Sequence, residues 1–387
     1  MHNDNSNRHV ITLGLVLALL LALWLRLPFI GAGMPYFYDE DEAHHFNRTV
    51  EMVKKGEFNP NYFHKPSLHF YLRMPVVAVA FLWTVRNGQI RSVQDIQTRD
   101  PYGLGGYAFT ASHPGIVKWN RALSVAFSLG LVLLAFLITK ELLACEGAAL
   151  LAALGTAVSP ELIENAAVIG VDMPMALLCL LAVYLALKLY RSFSVKLLVL
   201  TGLVCGLAVS AKYNALPIMF LPLLVLLLLR RFAFTELLLA ITVPVLGFLV
   251  GSPFTLLSLP LFLDQFAYEI WHYGVSGHEG HSAEPGWPQA LFYLKWLSWS
   301  GIGLGACALS VFGVLALLAR DFKKALLFLF FPCAFILLMI SQKANFTRNL
   351  LVFIPFCGVF CGAGAALISG LPRRSVFLRN LLLLILA

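Results

Sequence analysis

The fold class predicted by this sequence is an all-α polytopic membrane protein, and three observations predict it. Hydrophobic residues make up 59% of the 387 and charged residues only 12%, with a mean hydropathy of +0.81. A soluble domain carries about a quarter charged residues. The apolar residues fall in long Leu, Ala, Val and Phe runs without two-residue alternation, so helices rather than barrel strands satisfy the backbone in lipid. The basic residues sit in short clusters between those runs. The net charge of +8 is therefore a topology signal, and no nucleic-acid partner is expected. Seven scattered cysteines, most within apolar runs and with no C-x-x-C pair, read as small packing residues.

Taken in order, the chain opens with a polar stretch at 1–9 and an apolar run from Val10 to Ile30. The run is long for a signal peptide and carries Trp24 and Arg26 near its end, so it is read as a retained first span with a cytoplasmic N-terminus. Directly after it stands Tyr38-Asp39-Glu40-Asp41-Glu42-Ala43-His44-His45, four consecutive carboxylates followed by two histidines. Charge that dense beside lipid is costly and points to function, against the plainer reading of a solvated rim. Residues 42–56 have helical composition and end at the capping glycine Gly56. After the turn-rich 59–66, residues 67–85 are apolar but contain His69, Arg73 and Pro75. They suit either a span or an amphipathic helix in the interface.

Charge parity decides between these two readings. With 67–85 on the interface, spans follow at 122–139, 147–163, 172–190, 197–212, 214–229, 234–251, 300–319, 325–341, 350–368 and 376–387, about 11 with the first. Lys140, Lys188, Arg191, Lys196, Arg230, Arg231, Arg320, Lys323, Lys324, Arg373, Arg374 and Arg379 then all fall on the cytoplasmic side. A crossing at 67–85 would invert every one of these clusters. The expected organisation is one transmembrane domain over 1–387, with extracytoplasmic loops at 31–118 and 252–298 and no soluble C-terminal domain. The second loop, with Trp271-His272-Tyr273-Gly274, suits a lid or an interfacial helix.

On this topology the unusual polar residues meet at one face. The first loop brings Asp39, Glu40, Asp41, Glu42, His44, His45, His64 and Lys65. Later turns bring Glu161, Glu164, Asn165 and Asp172, then Lys212, Tyr213 and Asn214, then Lys343, Asn345, Arg348 and Asn349. Separated cations with carboxylates suit a lipid-linked anionic substrate: the cations hold phosphate and a carboxylate takes a proton. In sugar transfer from a polyprenyl phosphate, the leaving group needs charge stabilisation and no general acid. A single displacement then inverts the anomeric centre.

Asp41-Glu42-Ala43-His44-His45, a helix to Gly56, and His64-Lys65-Pro66-Ser67-Leu68 resemble the first-loop signature of GT-C glycosyltransferases. The branch is that of protein O-mannosyltransferases and lipid A aminoarabinose transferases. Gly170-Val171-Asp172-Met173-Pro174, Ala211-Lys212-Tyr213-Asn214 and Asn345-Phe346-Thr347-Arg348-Asn349-Leu350 resemble later family segments in the same order. The resemblance implies a GT-C fold and Asp41 as catalytic base, with Glu42 beside it for orientation or metal contact. It implies Lys65, Lys212 and Arg348, with His64 and Tyr213, at the lipid phosphate. Asp39-Glu40 duplicates the acidic pair, which leaves Asp39 as an alternative base, and Ser67 replaces the second proline of the family pattern.

His44, His45, Asp172 and Glu164 are further candidate substrate or metal contacts. The histidines and acids offer donors for a divalent cation, although no spacing is characteristic of a metal site; no cofactor is fixed. His278-x-x-His281 and the triplets Asn47-Arg48-Thr49 and Asn345-Phe346-Thr347 match short patterns that arise by chance. The expected activity is mannosyltransferase-like: transfer from a polyprenyl-phosphate-sugar donor to a glycan, lipid or protein acceptor, in a bacterial inner or plasma membrane, with the active site extracytoplasmic. The competing classes are a polymerase or ligase of undecaprenyl-linked glycans and a secondary transporter. A transporter places paired repeats and interrupted helices at the midplane, and the halves of this sequence are not alike.

Overall fold

A computed structural model describes residues 2–99 and 108–370. The expected last span at 376–387 and the cluster Arg373, Arg374 and Arg379 lie outside the described residues. The helices are α1 (His2–Ile30), α2 (Glu40–Lys55), α3 (Leu68–Arg86), α4 (Pro114–Leu143), α5 (Glu146–Val158) and the short α6 (Pro160–Glu164). Then come α7 (Asp172–Arg191), α8 (Val195–Ala211), a 3-10 segment Tyr213–Phe220 leading into α9 (Leu221–Leu229), and α10 (Phe234–Gly251). The rest are α11 (Phe254–Leu257), α12 (Leu259–Trp271), α13 (Trp287–Trp296), α14 (Gly303–Arg320), α15 (Phe322–Ile340) and a 3-10 turn Thr347–Phe353 opening α16 (Ile354–Ser369).

Ten of these elements run alternately up and down as one bundle: α1, α4, α5, α7, α8, α9, α10, α14, α15 and α16. Eight helices in the described residues are long and apolar enough to cross a membrane, α3 among them. Three shorter apolar segments complete the bundle. One of these, Tyr213–Leu229, has only 17 residues. Its first half is 3-10 because Pro217 and Pro222 interrupt the α pattern. At the steeper 3-10 rise it still reaches about 30 Å, the hydrocarbon thickness. The expected span at 147–163 is broken at Ser159-Pro160 into α5 and α6.

The carbonyls that end α5 are met by Arg26, fully buried on α1, which donates to Ala157 O at 2.7 Å, Ala22 O at 3.0 Å and Ser128 Oγ at 2.8 Å. A guanidinium inside an apolar bundle is thus used as a cap for a helix end. Where α8 crosses α10, Gly202, Gly206, Gly247 and Gly251 let the backbones meet. A methyl group on Gly206 would collide with the Pro244 carbonyl oxygen and the Phe248 nitrogen. Gly206→Ala is therefore expected to destabilise the bundle by about 2 kcal/mol or more. A lowered melting temperature in detergent is the measurement, and an unchanged one removes the close crossing.

Helix length does not separate α3 from the spans; its contacts do. Near its start, Ser67 N donates to Ser252 Oγ at 2.9 Å. Nearly two turns on, Arg73 donates to Asn120 O and Ser124 Oγ. Near its end, Trp83 packs on Trp119, and just beyond it Lys54 donates to Ile96 O at 2.6 Å. The start of α3 therefore lies against the end of α10, and its middle and end lie against the first turns of α4, all at one end of the bundle. A helix running alongside α4 would have reached its far half. The clusters Lys140, Lys188, Arg191, Arg230, Arg231, Arg320, Lys323 and Lys324 sit at the opposite end, where Glu141 pairs with Lys188 and Arg191.

Candidate active site

The bundle end that holds α2, α3 and α12 collects the polar side chains. Asp39 caps α2: its carboxylate accepts from Asp41 N at 3.0 Å, and Gly56 closes the helix at φ +66°. Capping fixes the rotation of α2. Asp41 and His45, one turn apart, then share the face turned to an inner chamber.

That chamber is small, about 20 Å³, because ion pairs fill it. Asp41 Oδ2 pairs with Arg348 Nη2 at 2.7 Å, and Asp172 Oδ1 with Lys212 Nζ at 2.6 Å. Lys212 also donates to Asn349 Oδ1 at 2.7 Å, so the ammonium that ends α8 is paired, as burial demands. An outer, more apolar chamber of about 310 Å³ is lined by His64, Tyr213, Phe266 and Glu269. Lys65, Lys212 and Tyr273 line both chambers and form their common wall. Lys65 is the more loosely held cation: its ammonium donates to Glu269 Oε2 at 3.4 Å, while Glu269 Oε1 meets His64 Nδ1 at 2.9 Å.

Charge states follow from these neighbours. Burial works against the Asp41 carboxylate, but Arg348 and then His45 and Lys65 outweigh it and hold its pKa below the usual value. For Asp39 burial wins, helped by Asp41, Glu42 and Asp172 against Arg348, and its pKa is raised. Burial pushes His45 down to about 4 despite Asp41. Its Nδ1 lies 3.2 Å from Ile169 O, so in the neutral ring Nδ1 carries the proton and Nε2 is an acceptor. Burial also opposes the charge on Lys65, yet Tyr273 and Glu269 beside it leave its pKa raised.

Of the residues expected at the site, Asp39, Asp41, His45, Lys65, Asp172, Lys212 and Arg348 meet in the inner chamber, and His64 and Tyr213 in the outer one. Three are placed elsewhere. Glu42 is fully buried away from both chambers, with its oxygens held by Arg121 at 2.8 and 2.7 Å and by Ile169 N at 3.3 Å. It stands behind Asp41 with both carboxylate oxygens engaged. His44 is rotated about 100° from His45 by the helix and packs on Phe109 instead. Glu164 is exposed at the end of α6, and its neighbour Asn165 faces the chamber. Among the described residues no three His, Cys, Asp or Glu side chains converge in a set able to hold a metal. His278 and His281 flank the Phe346 ring.

Sequence reading missed Glu269 and Arg121. Both are charges inside otherwise apolar helical segments, which is the signal that could have found them.

Residues 108–274 match the family model of dolichyl-phosphate-mannose-protein mannosyltransferase. That stretch includes Asp172, Lys212 and Glu269. No curated protein sequence compared with the chain matches it. The fold is shared with two solved structures. It resembles ArnT from Cupriavidus metallidurans bound to undecaprenyl phosphate, with TM-score 0.64 and 18% identity over 95% of this chain. It also resembles the oligosaccharyltransferase AglB from Archaeoglobus fulgidus, in complex with an inhibitory peptide and a dolichol-phosphate, with TM-score 0.62 and 13% identity over 98% of this chain. The chain spans 62% of the length of the ArnT chain and 54% of the AglB chain.

Proposed function

We propose that this chain is an inverting glycosyltransferase that moves a sugar from a polyprenyl-phosphate carrier to an acceptor at the extracytoplasmic membrane face. The observation that carries the reading is the convergence of Asp41, Lys65, Lys212 and Arg348, from four distant segments, around two chambers that share a cationic wall. The outer chamber is mainly apolar and leads the lipid out between Phe266, Leu216 and Leu338. The phosphate sits at the wall, where Lys65 and Lys212 stabilise the charge that grows as the sugar–oxygen bond breaks. The acceptor hydroxyl or amine approaches from the inner chamber and loses its proton to Asp41. The structures bound to undecaprenyl phosphate and dolichol-phosphate share this fold, which supports a polyprenyl-phosphate donor. The extracytoplasmic placement is supported by the basic clusters at the other end of the bundle.

The testing experiment incubates the purified protein with polyprenyl-phosphate sugars in detergent. The expected result is release of the sugar with inverted configuration, together with free polyprenyl phosphate. Lys65→Gln should cost roughly 10²-fold or more in turnover, the scale seen when one donor to a developing anion is removed. Inactivity of the unaltered chain on all such donors, or retention of configuration, would overturn the reading.

A further inference from the structure

The two chambers hold more acid than base. Three permanent cations, Lys65, Lys212 and Arg348, face four carboxylates, Asp39, Asp41, Asp172 and Glu269. An anion at the shared wall therefore enters a site with no spare positive charge, and its own charge number matters. Glu269 is the carboxylate that pairs with Lys65, 3.4 Å from the ammonium. Two acceptors on one ammonium stand roughly 4–5 Å apart. Any phosphate bound to Lys65 thus has Glu269 as its neighbour.

The two lipids of the proposed reaction differ in this respect. The donor is a phosphodiester with a single negative charge. Transfer breaks the bond between the sugar carbon and the phosphate oxygen, and the electron pair stays on that oxygen. The acceptor oxygen or nitrogen forms the new bond to the sugar carbon and gives its proton to the carboxylate. What remains is a phosphomonoester whose second ionisation lies near pH 6, so at neutral pH it carries close to two charges.

We propose that Glu269 makes the site tell these two lipids apart, tolerating the singly charged phosphodiester and repelling the phosphomonoester so that the spent carrier leaves. The inference rests on the donor reading above and adds a role for a residue on α12. That helix suits the task, because none of its residues is buried and its polar ties are Gln265 to Phe63 N, Ser258 to Asn59, and Glu269 itself. Glu269→Gln leaves the α12 backbone untouched and keeps a hydrogen-bond partner for His64.

The experiment measures binding of a polyprenyl monophosphate and of its methyl phosphodiester to detergent-solubilised protein at about pH 5.5 and about pH 7.5, on either side of the second ionisation. Other groups that face the seat also titrate or carry charge: Asp39, Asp41 and His45 from α2, and Tyr62 and His64 from the loop beside Lys65. Asp172, Lys212, Tyr213, His272, Tyr273 and Arg348 approach from the remaining sides. The diester has one charge at both pH values and reports how those groups act on a single charge, while comparing the ratio with and without Glu269 at one pH isolates Glu269. In the unaltered chain the ratio of monoester Kd to diester Kd should rise with pH. In Glu269→Gln the ratio at about pH 7.5 should fall roughly tenfold, and added polyprenyl phosphate should inhibit turnover more strongly. A ratio unchanged by Glu269→Gln, with both lipids bound, overturns the role of Glu269 and leaves the donor reading standing. Binding of neither lipid to the unaltered chain overturns the donor reading and this inference with it.

Discussion

Asp41→Asn is expected to lower turnover by about 10²–10⁴, the contribution of a positioned general base, while polyprenyl phosphate binds at least as tightly as before. The two effects have one origin. Asp41 holds Arg348 at 2.7 Å, so on the proposed reading a phosphate seated on Lys65 and Lys212 that also reaches Arg348 competes with the carboxylate for the guanidinium. Asparagine removes the competing charge and keeps an oxygen for Arg348 to bond. In the unaltered chain a phosphate that takes over Arg348 relieves Asp41 of the contact that holds its pKa down, and its basicity rises just as the donor is seated. The measurement is kcat and KM together: both should fall in Asp41→Asn. Asp39→Asn is the control for the alternative base, because asparagine caps a helix as well as aspartate does and the substitution alters only charge. Loss of turnover in Asp39→Asn with retention in Asp41→Asn would move the proton acceptor two residues earlier, to the helix cap whose pKa burial raises.

What could be read from the sequence, and what could not, divides along the range of the interactions. The stop at Gly56 and the apolar runs are local and appear where composition and spacing place them, whereas the helix expected from residue 42 starts two residues earlier, at Glu40, on an Asp39 cap that sequence reading missed. The common end of Asp41, Lys65, Lys212 and Arg348 was also legible, because the alternation of spans fixes which ends meet. Helix phase was not. His44 and His45 are adjacent letters, yet one packs on Phe109 and the other lines the chamber. Side-chain pairing was not legible either: nothing near Glu42 announces a partner 79 positions away, nor does Lys65 announce Glu269, 204 positions on. Such pairs are set by which helices pack, and a single sequence states that only through parity. The expectation that α3 lies on the interface came from charge counting; α3 is long and apolar enough to cross a membrane, and its Trp83–Trp119 contact with the start of α4 fits the interfacial reading.

Removal of one partner from the Glu42–Arg121 pair should be the most damaging change to the fold. Both side chains are fully buried and joined by two short bonds, Nε to Oε1 at 2.8 Å and Nη2 to Oε2 at 2.7 Å. The rest of the fork is occupied too: Arg121 Nη1 donates to Ala32 O at 2.6 Å, and the Tyr38 ring covers the guanidinium at 4.7 Å. Glu42 in turn accepts from Ile169 N in the loop before α7. The pair thus ties the end of α1, the start of α2, the start of α4 and the wall of the inner chamber at one point. Arg121→Met leaves a buried carboxylate without compensation, and Glu42→Gln does the same to the guanidinium. Either is expected to cost about 3–5 kcal/mol, read as a fall in melting temperature of the detergent-solubilised protein. The double variant Glu42→Gln with Arg121→Met should recover part of that loss, because no lone charge remains inside. A direct chemical role for Glu42 predicts the opposite pattern. Glu42→Gln would then melt like the unaltered chain and lose turnover alone, and the double variant would restore nothing.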